Sequence, residues 1–194
     1  MKSKSLLLLV AVTALSVACT GRQTTIGGTN TDSLSVDTLE ADSVDADAKY
    51  AVDLLRPGTE APDFAVNTID GKAFSLSSLR GQYVVLEFWA SWCPDCRKDL
   101  SRVVALSEDL MPKGVAFVGV SHDTEKDKWE AAVEKYSIRY TQVGDLKPMR
   151  ESTIARDFGV HWIPSYFLIA PDGRIELATV VVDKLERACR SLPL

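Results

Sequence analysis

With 194 residues, the chain has room for one ordinary domain and a further segment at one end. Hydrophobic residues make up 46%, enough for a packed core, and 11 glycines with 8 prolines exclude a low-complexity chain. A formal net charge of -5 argues against nucleic-acid binding, which draws most of its affinity from clustered Lys and Arg.

Lys2 and Lys4 precede the apolar run Leu6 to Val12, and Ala14, Leu15, Val17 and Ala18 lead on to Cys19. At about a dozen residues the apolar stretch falls short of the roughly 20 that span a bilayer. Residues 1–18 are therefore predicted to be an export signal. Leu15-Ser16-Val17-Ala18-Cys19 resembles a bacterial lipobox, although Ser16 stands where a leucine is usual. That resemblance implies lipidation at Cys19; the alternative is a cysteine lost with the signal. From Thr20 to about Asp53 the chain is rich in Thr, Ser, Gly and Asp, with only Arg22 and Lys49 to offset seven acids. Low hydrophobicity and one sign of charge predict a flexible acidic tether over 19–56, with at most a transient helix within 34–52.

Order is expected from Pro57, in a single domain over 57–194. Phe64-Ala65-Val66 and Lys72-Ala73-Phe74 flank Asp70-Gly71 and read as a hairpin. Tyr83 to Ala90 is β-branched, aromatic and almost continuous, as a strand buried on both faces should be. Helical spacing runs from Leu100 to Leu110, closed by Pro112 and Gly114. A second buried strand, Val115 to Val120, precedes a helix over Thr124 to Tyr136. A shorter helix near Glu151 to Phe158, strands Ser165 to Ala170 and Arg174 to Val180 about the turn Pro171-Asp172-Gly173, and a closing helix Asp183 to Leu192 complete the order. Strand–helix alternation followed by a hairpin predicts an α/β fold: a mixed central sheet with helices on both faces and an N-terminal β-hairpin extension.

Four cysteines, at 19, 93, 96 and 189, are too few and too scattered for a disulfide scaffold. Cys93-Pro94-Asp95-Cys96 falls where the buried strand gives way to a helix. Unpaired N–H groups and the positive dipole end there favour a thiolate over a thiol. Pro94 suits the first helical turn, where its missing N–H costs nothing. A zinc site would need further ligands, but there is no second CxxC, and His122 and His161 stand alone; no metal and no cofactor are expected.

Gly58 to about Leu192 resembles the TlpA/ResA-like branch of the thioredoxin superfamily. The resemblance rests on Ala61-Pro62-Asp63-Phe64, the Asp70-Gly71 turn, Phe88-Trp89-Ala90-Ser91-Trp92-Cys93-Pro94-Asp95-Cys96, Ile163-Pro164-Ser165 and Pro171-Asp172-Gly173. It implies a thioredoxin-like fold and a redox-active disulfide between Cys93 and Cys96. Cys93 would be the exposed attacking sulfur and Cys96 the more buried resolving one. It further implies a cis-proline at Pro164 facing the dithiol, with the Ile163 backbone pairing to an extended substrate beside Trp92, Pro94 and Asp95. Glu87, six residues before Cys93, matches the buried acid of thioredoxins that moves protons for the resolving cysteine. Asp99, three residues after Cys96, matches a helix-borne Glu of ResA-like proteins, with a shorter side chain.

Each position has a plainer reading. Glu87 is a strand-end charge unless the apolar run buries it, Asp99 on the plainer reading serves only the helix dipole, and Trp89 and Cys189 suit a core. The activity implied is an envelope thiol–disulfide oxidoreductase that reduces client proteins, some relatives acting in cytochrome c maturation. A membrane-embedded thiol reductant would supply electrons, and a lipid anchor would hold the chain on the periplasmic side of a bacterial envelope. Two alternatives compete. Peroxiredoxins resemble the domain but carry Thr or Ser three residues before the reactive cysteine and Pro seven before, where this chain has Ala90 and Leu86. A redox-inert binding module would have no chemical need for the intact cysteine pair.

Overall fold

The computed structural model describes residues 41–194, with side chains from residue 46 onward. The signal segment, Cys19 and the tether as far as residue 40 lie outside the described residues.

Two sheets are present among the described residues. Strands β1 (Ala65–Asn67) and β2 (Ala73–Ser75) form the expected hairpin, pairing Val66 with Phe74. The central sheet has five strands: β3 (Val84–Trp89), β4 (Ala116–Ser121), β5 (Thr141–Val143), β6 (Ser165–Ile169) and β7 (Ile175–Thr179), in the order β5-β4-β3-β6-β7. β3, β4 and β5 run parallel, whereas β6 runs antiparallel to both of its neighbours, β3 and β7. The sheet is mixed, as alternation followed by a closing hairpin requires. β5 is absent from the sequence reading: three residues beginning Thr141-Gln142 carry too little apolar character to register.

All six residues of β3 are buried, because the sheet is covered on both sides. Side chains alternate. Val85 and Trp89 join Leu100, Val103 and Leu185 on one face, while Val84, Leu86 and Phe88 join Phe158, Phe167 and Ile154 on the other. Glu87, between Val85 and Trp89, therefore falls on the first face. That face is covered by α2 (Pro94–Leu110) and α5 (Val182–Arg190). In α2 the buried residues Cys96, Leu100, Val103, Leu106, Ser107 and Leu110 follow helical spacing, and a left-handed Gly114 turns the chain into β4. α3 (Lys126–Lys135) buries Trp129 and Ala132, and the short α4 (Thr153–Asp157) is capped by the Ser152 hydroxyl.

Order begins well before the expected Pro57. Residues Ala41–Tyr50 form helix α1. Asp47 ties it to the domain, accepting from the Thr179 hydroxyl (2.8 Å), the Val180 amide (2.9 Å) and the Lys184 ammonium (2.5 Å). Beyond α1, Leu54 is buried and the Leu55 amide donates to the Phe158 carbonyl. Gly159 has φ +70, and a Cβ there would lie 1.9 Å from the Asp53 carbonyl oxygen, so only glycine lets this strap pass. Residues 47–56, expected to be tether, pack on the domain; the acidic composition misleads because one of those acids is a structural anchor.

Candidate active site

The strand-to-helix junction after β3 positions the dithiol. Cys93 caps α2, and its sulfur accepts from the Cys96 amide at 3.1 Å. The two cysteines sit at disulfide-bonding distance with Cα atoms 5.3 Å apart. Cys93 is 4% exposed and Cys96 fully buried, so in the disulfide state Cys93 is not the exposed sulfur the resemblance implied: the loop before β6 packs over it. Pro94 occupies the first helical turn, so the amides facing the sulfur are those of a helix start. An N–H aimed at sulfur stabilises negative charge there, the requirement for a nucleophilic thiolate.

The approach to this junction is braced. The Ser91 amide and hydroxyl both donate to the buried Asp123 carboxylate, at 2.9 and 2.5 Å, and the Ser121 hydroxyl donates to it at 2.9 Å. The Arg97 guanidinium donates to the Ser91 carbonyl from the first turns of α2. Trp89 beneath is core, its indole N–H donating to Gln142. Gly119 lies opposite Gln142 across β4 and β5, and its missing Cβ leaves room for that amide.

The loop before β6 faces the dithiol. The Ile163–Pro164 peptide is cis, and the Ile163 carbonyl oxygen lies 3.5 Å from the Cys93 sulfur. Pro164 is buried and Ile163 half-buried. Trp92, next to Cys93, and Trp162, next to Ile163, are each 55% exposed. Asp95 is exposed and pairs with Lys98 at 2.6 Å.

Two acids lie on the α2 side of the sheet. Glu87 is 1% exposed; Tyr140 donates to one of its oxygens at 2.5 Å, and the other has no hydrogen-bond partner among the described residues. Burial raises its pKa to about 7, against the lowering effect of the Tyr140 bond. Asp99 is half-buried and accepts from the Tyr166 hydroxyl at 3.1 Å; burial pushes its carboxyl upward too. Tyr166 pairs with Glu87 across β3 and β6, so the two acids and two phenols form one buried polar group.

The structure thus brings Cys93, Cys96, Asp95, Asp99, Ile163 and Pro164 together, with Trp92 exposed beside Cys93 and Glu87 buried on the sheet face that α2 covers. Cys189 lies apart in the core, its thiol pushed up to about 12 by burial. His161 is exposed, near Asp53. Sequence reasoning missed Tyr140, Tyr166, Asp123 and Trp162. A buried acid demands a donor, which signals that some partner exists, but these partners lie 53 and 67 residues from their acids.

Comparison with known proteins identifies the family. Residues 57–178 match the AhpC/TSA family. The thiol–disulfide oxidoreductase ResA of Bacillus thuringiensis is 30% identical over 118 residues, which cover 61% of this chain and 66% of the relative, just under two thirds. Among solved structures, the thioredoxin domain of a thiol–disulfide oxidoreductase from Bacteroides vulgatus is 26% identical with a TM-score of 0.64, covering 70% of this chain and 96% of that one. A chain described as thiol:disulfide interchange protein DsbE, from Chlorobium tepidum, is 30% identical with a TM-score of 0.62, covering 69% and 94%. The chain belongs to the AhpC/TSA family, and its named relatives and structural neighbours there are thiol–disulfide oxidoreductases of thioredoxin fold.

Proposed function

We propose that the protein reduces disulfides of client proteins through Cys93 and Cys96. The observation that carries this is the Cys93 sulfur capping α2, with the Cys96 amide directed at it and Cys96 within bonding distance. In the reduced state the Cys93 thiolate attacks a client disulfide. A Cys93–client bond forms, the client bond breaks, and the departing thiolate takes up a proton. Cys96 then loses its proton and attacks the Cys93 sulfur, closing the internal disulfide and releasing the second client thiol. Two electrons and two protons pass to the client. Glu87, at about 7, suits the transfer of the Cys96 proton at neutral pH.

The direction follows from charge. Ionised Glu87, Asp95 and Asp99 would all oppose a neighbouring thiolate, so the reduced form lacks the strong stabilisation that makes an oxidant of this fold. Such a protein in an oxidising envelope needs re-reduction, which we assign to a membrane-embedded thiol reductant, with Cys19 lipidated and the catalytic domain on the periplasmic side. Apocytochrome c is the first client class to offer. Ala90 and Leu86 speak against a peroxidase. Insulin reduction tests the reading: Cys93→Ser abolishes turnover and Cys96→Ser accumulates mixed disulfides. Insulin left intact by the wild-type protein, or Cys96 carrying the trapped client, would contradict it.

A further inference from the structure

Beside the dithiol lies a cleft of about 310 Å³ whose floor includes Asp95, Asp99 and Pro164 and whose walls are Trp162, Val180 and, from α1, Tyr50. The α1 wall is the unforeseen part. Asp47 fastens α1 to the end of β7 and to α5 through three donors, which sets Tyr50 edge-on to Trp162 with ring centroids 4.9 Å apart. Ile163 lines the same cleft, and its carbonyl lies 3.5 Å from the Cys93 sulfur. Whatever side chain neighbours a client cysteine at Cys93 is therefore delivered into this space.

The lining chemistry is that of a cation site. Two acidic and two aromatic residues line it, and among the described residues no Lys, Arg or His does. Carboxylates take guanidinium and ammonium groups by charge-assisted hydrogen bonds, and indole and phenol rings attract the same groups through their faces. The chain's own cations already show both attractions at the border. Lys98 sits on Asp95 at 2.6 Å, and the Lys49 ammonium lies 4.9 Å from the Tyr50 ring centroid. The apolar parts of the wall suit the methylene stem of such a side chain.

We infer that this cleft is a specificity site for the client residue flanking the reactive cysteine, and that it selects arginine or lysine. The inference rests on the oxidoreductase reading and adds to it a client chemistry and a role for α1. Tyr50 and Trp162 grip the stem and cation, Asp95 and Asp99 receive the head, and Asp47 acts as a positioning residue that holds the α1 wall in place.

The test uses the full reduced protein and three disulfides: the dimer of amidated Gly-Arg-Cys-Gly, the dimer of amidated Gly-Glu-Cys-Gly, and neutral hydroxyethyl disulfide. The wild-type protein should reduce the arginine peptide about tenfold faster in kcat/KM than the glutamate peptide, in line with a partly desolvated cation–aromatic contact. Tyr50→Ala and Trp162→Ala leave the net charge unchanged, so a general attraction of cations to this acidic protein survives both. A preference seated in the cleft instead collapses toward unity in both. The ratio compares two substrates of one variant, so a general loss of activity cancels. Equal rates on the two peptides in wild type, or a preference that persists in both variants, overturns the inference while leaving the oxidoreductase reading intact. Failure of the wild-type protein to reduce even hydroxyethyl disulfide would instead remove that reading, and the inference with it.

Discussion

Replacing Glu87 with glutamine should remove a pH-dependent loss of stability from the oxidised protein. The carboxyl is fully enclosed, and burial moves it from an ordinary 4.5 to about 7. Below pH 4.5 it is protonated in folded and unfolded chains alike and costs nothing. Between pH 4.5 and 7 the unfolded chain releases the proton while the folded chain keeps it, so stability falls as pH rises. Above pH 7 both are ionised, and the deficit levels off at about 3 kcal/mol. Glutamine cannot ionise, yet its carbonyl can still accept from Tyr140. Glu87→Gln should therefore differ little from wild type at pH 4.5 and be more stable at pH 9 by about 3 kcal/mol, on the order of 10 °C in Tm. Thermal melts of both oxidised proteins across pH 4.5–9 measure this directly. Parallel curves for the two proteins would mean that Glu87 is hydrated or already charged in the fold, and the reasoning would be refuted.

Further outcomes follow from single side chains. Asp123→Ala leaves three donors, two on Ser91 and one on Ser121, without their acceptor; urea denaturation should show a loss of about 3 kcal/mol. A loss below about 1 kcal/mol would mean that water replaces the carboxylate. Cys189 is 1% exposed with its thiol pushed up to about 12, so iodoacetamide should label it only after denaturation, while Cys93 of the reduced native protein, 4% exposed but with its sulfur capping α2, reacts first as a thiolate. Comparable native labelling of Cys189 would place it outside the core.

What the sequence disclosed is local or periodic. Cys93-Pro94-Asp95-Cys96 announces itself because its chemistry needs only a strand end and a helix start, both written in adjacent residues. The run around Glu87 announces burial because five of the six residues of β3 are apolar and all are enclosed. What stayed hidden depends on distant pairing. Tyr140 reaches Glu87 across 53 residues and Tyr166 reaches Asp99 across 67, and a tyrosine looks the same in sequence whether or not its hydroxyl has an acid to bond. β5 hides for a related reason: Gln142 reads as a polar break, yet its amide is buried to receive the indoles of Trp89 and Trp129. The α1 strap misleads most. Its composition is that of a solvated spacer, and only Thr179, Val180 and Lys184, more than 130 residues away, turn Asp47 into an anchor.

The central claim is that the Cys93–Cys96 pair works as a reductant. Equilibrating the protein against defined glutathione mixtures, followed by acid quench, alkylation and mass analysis of the two cysteines, gives its reduction potential. The charge around the dithiol predicts a value of roughly -220 mV or lower, nearer thioredoxin than DsbA; a value near about -120 mV would show a protein that installs disulfides, and would contradict the direction assigned here.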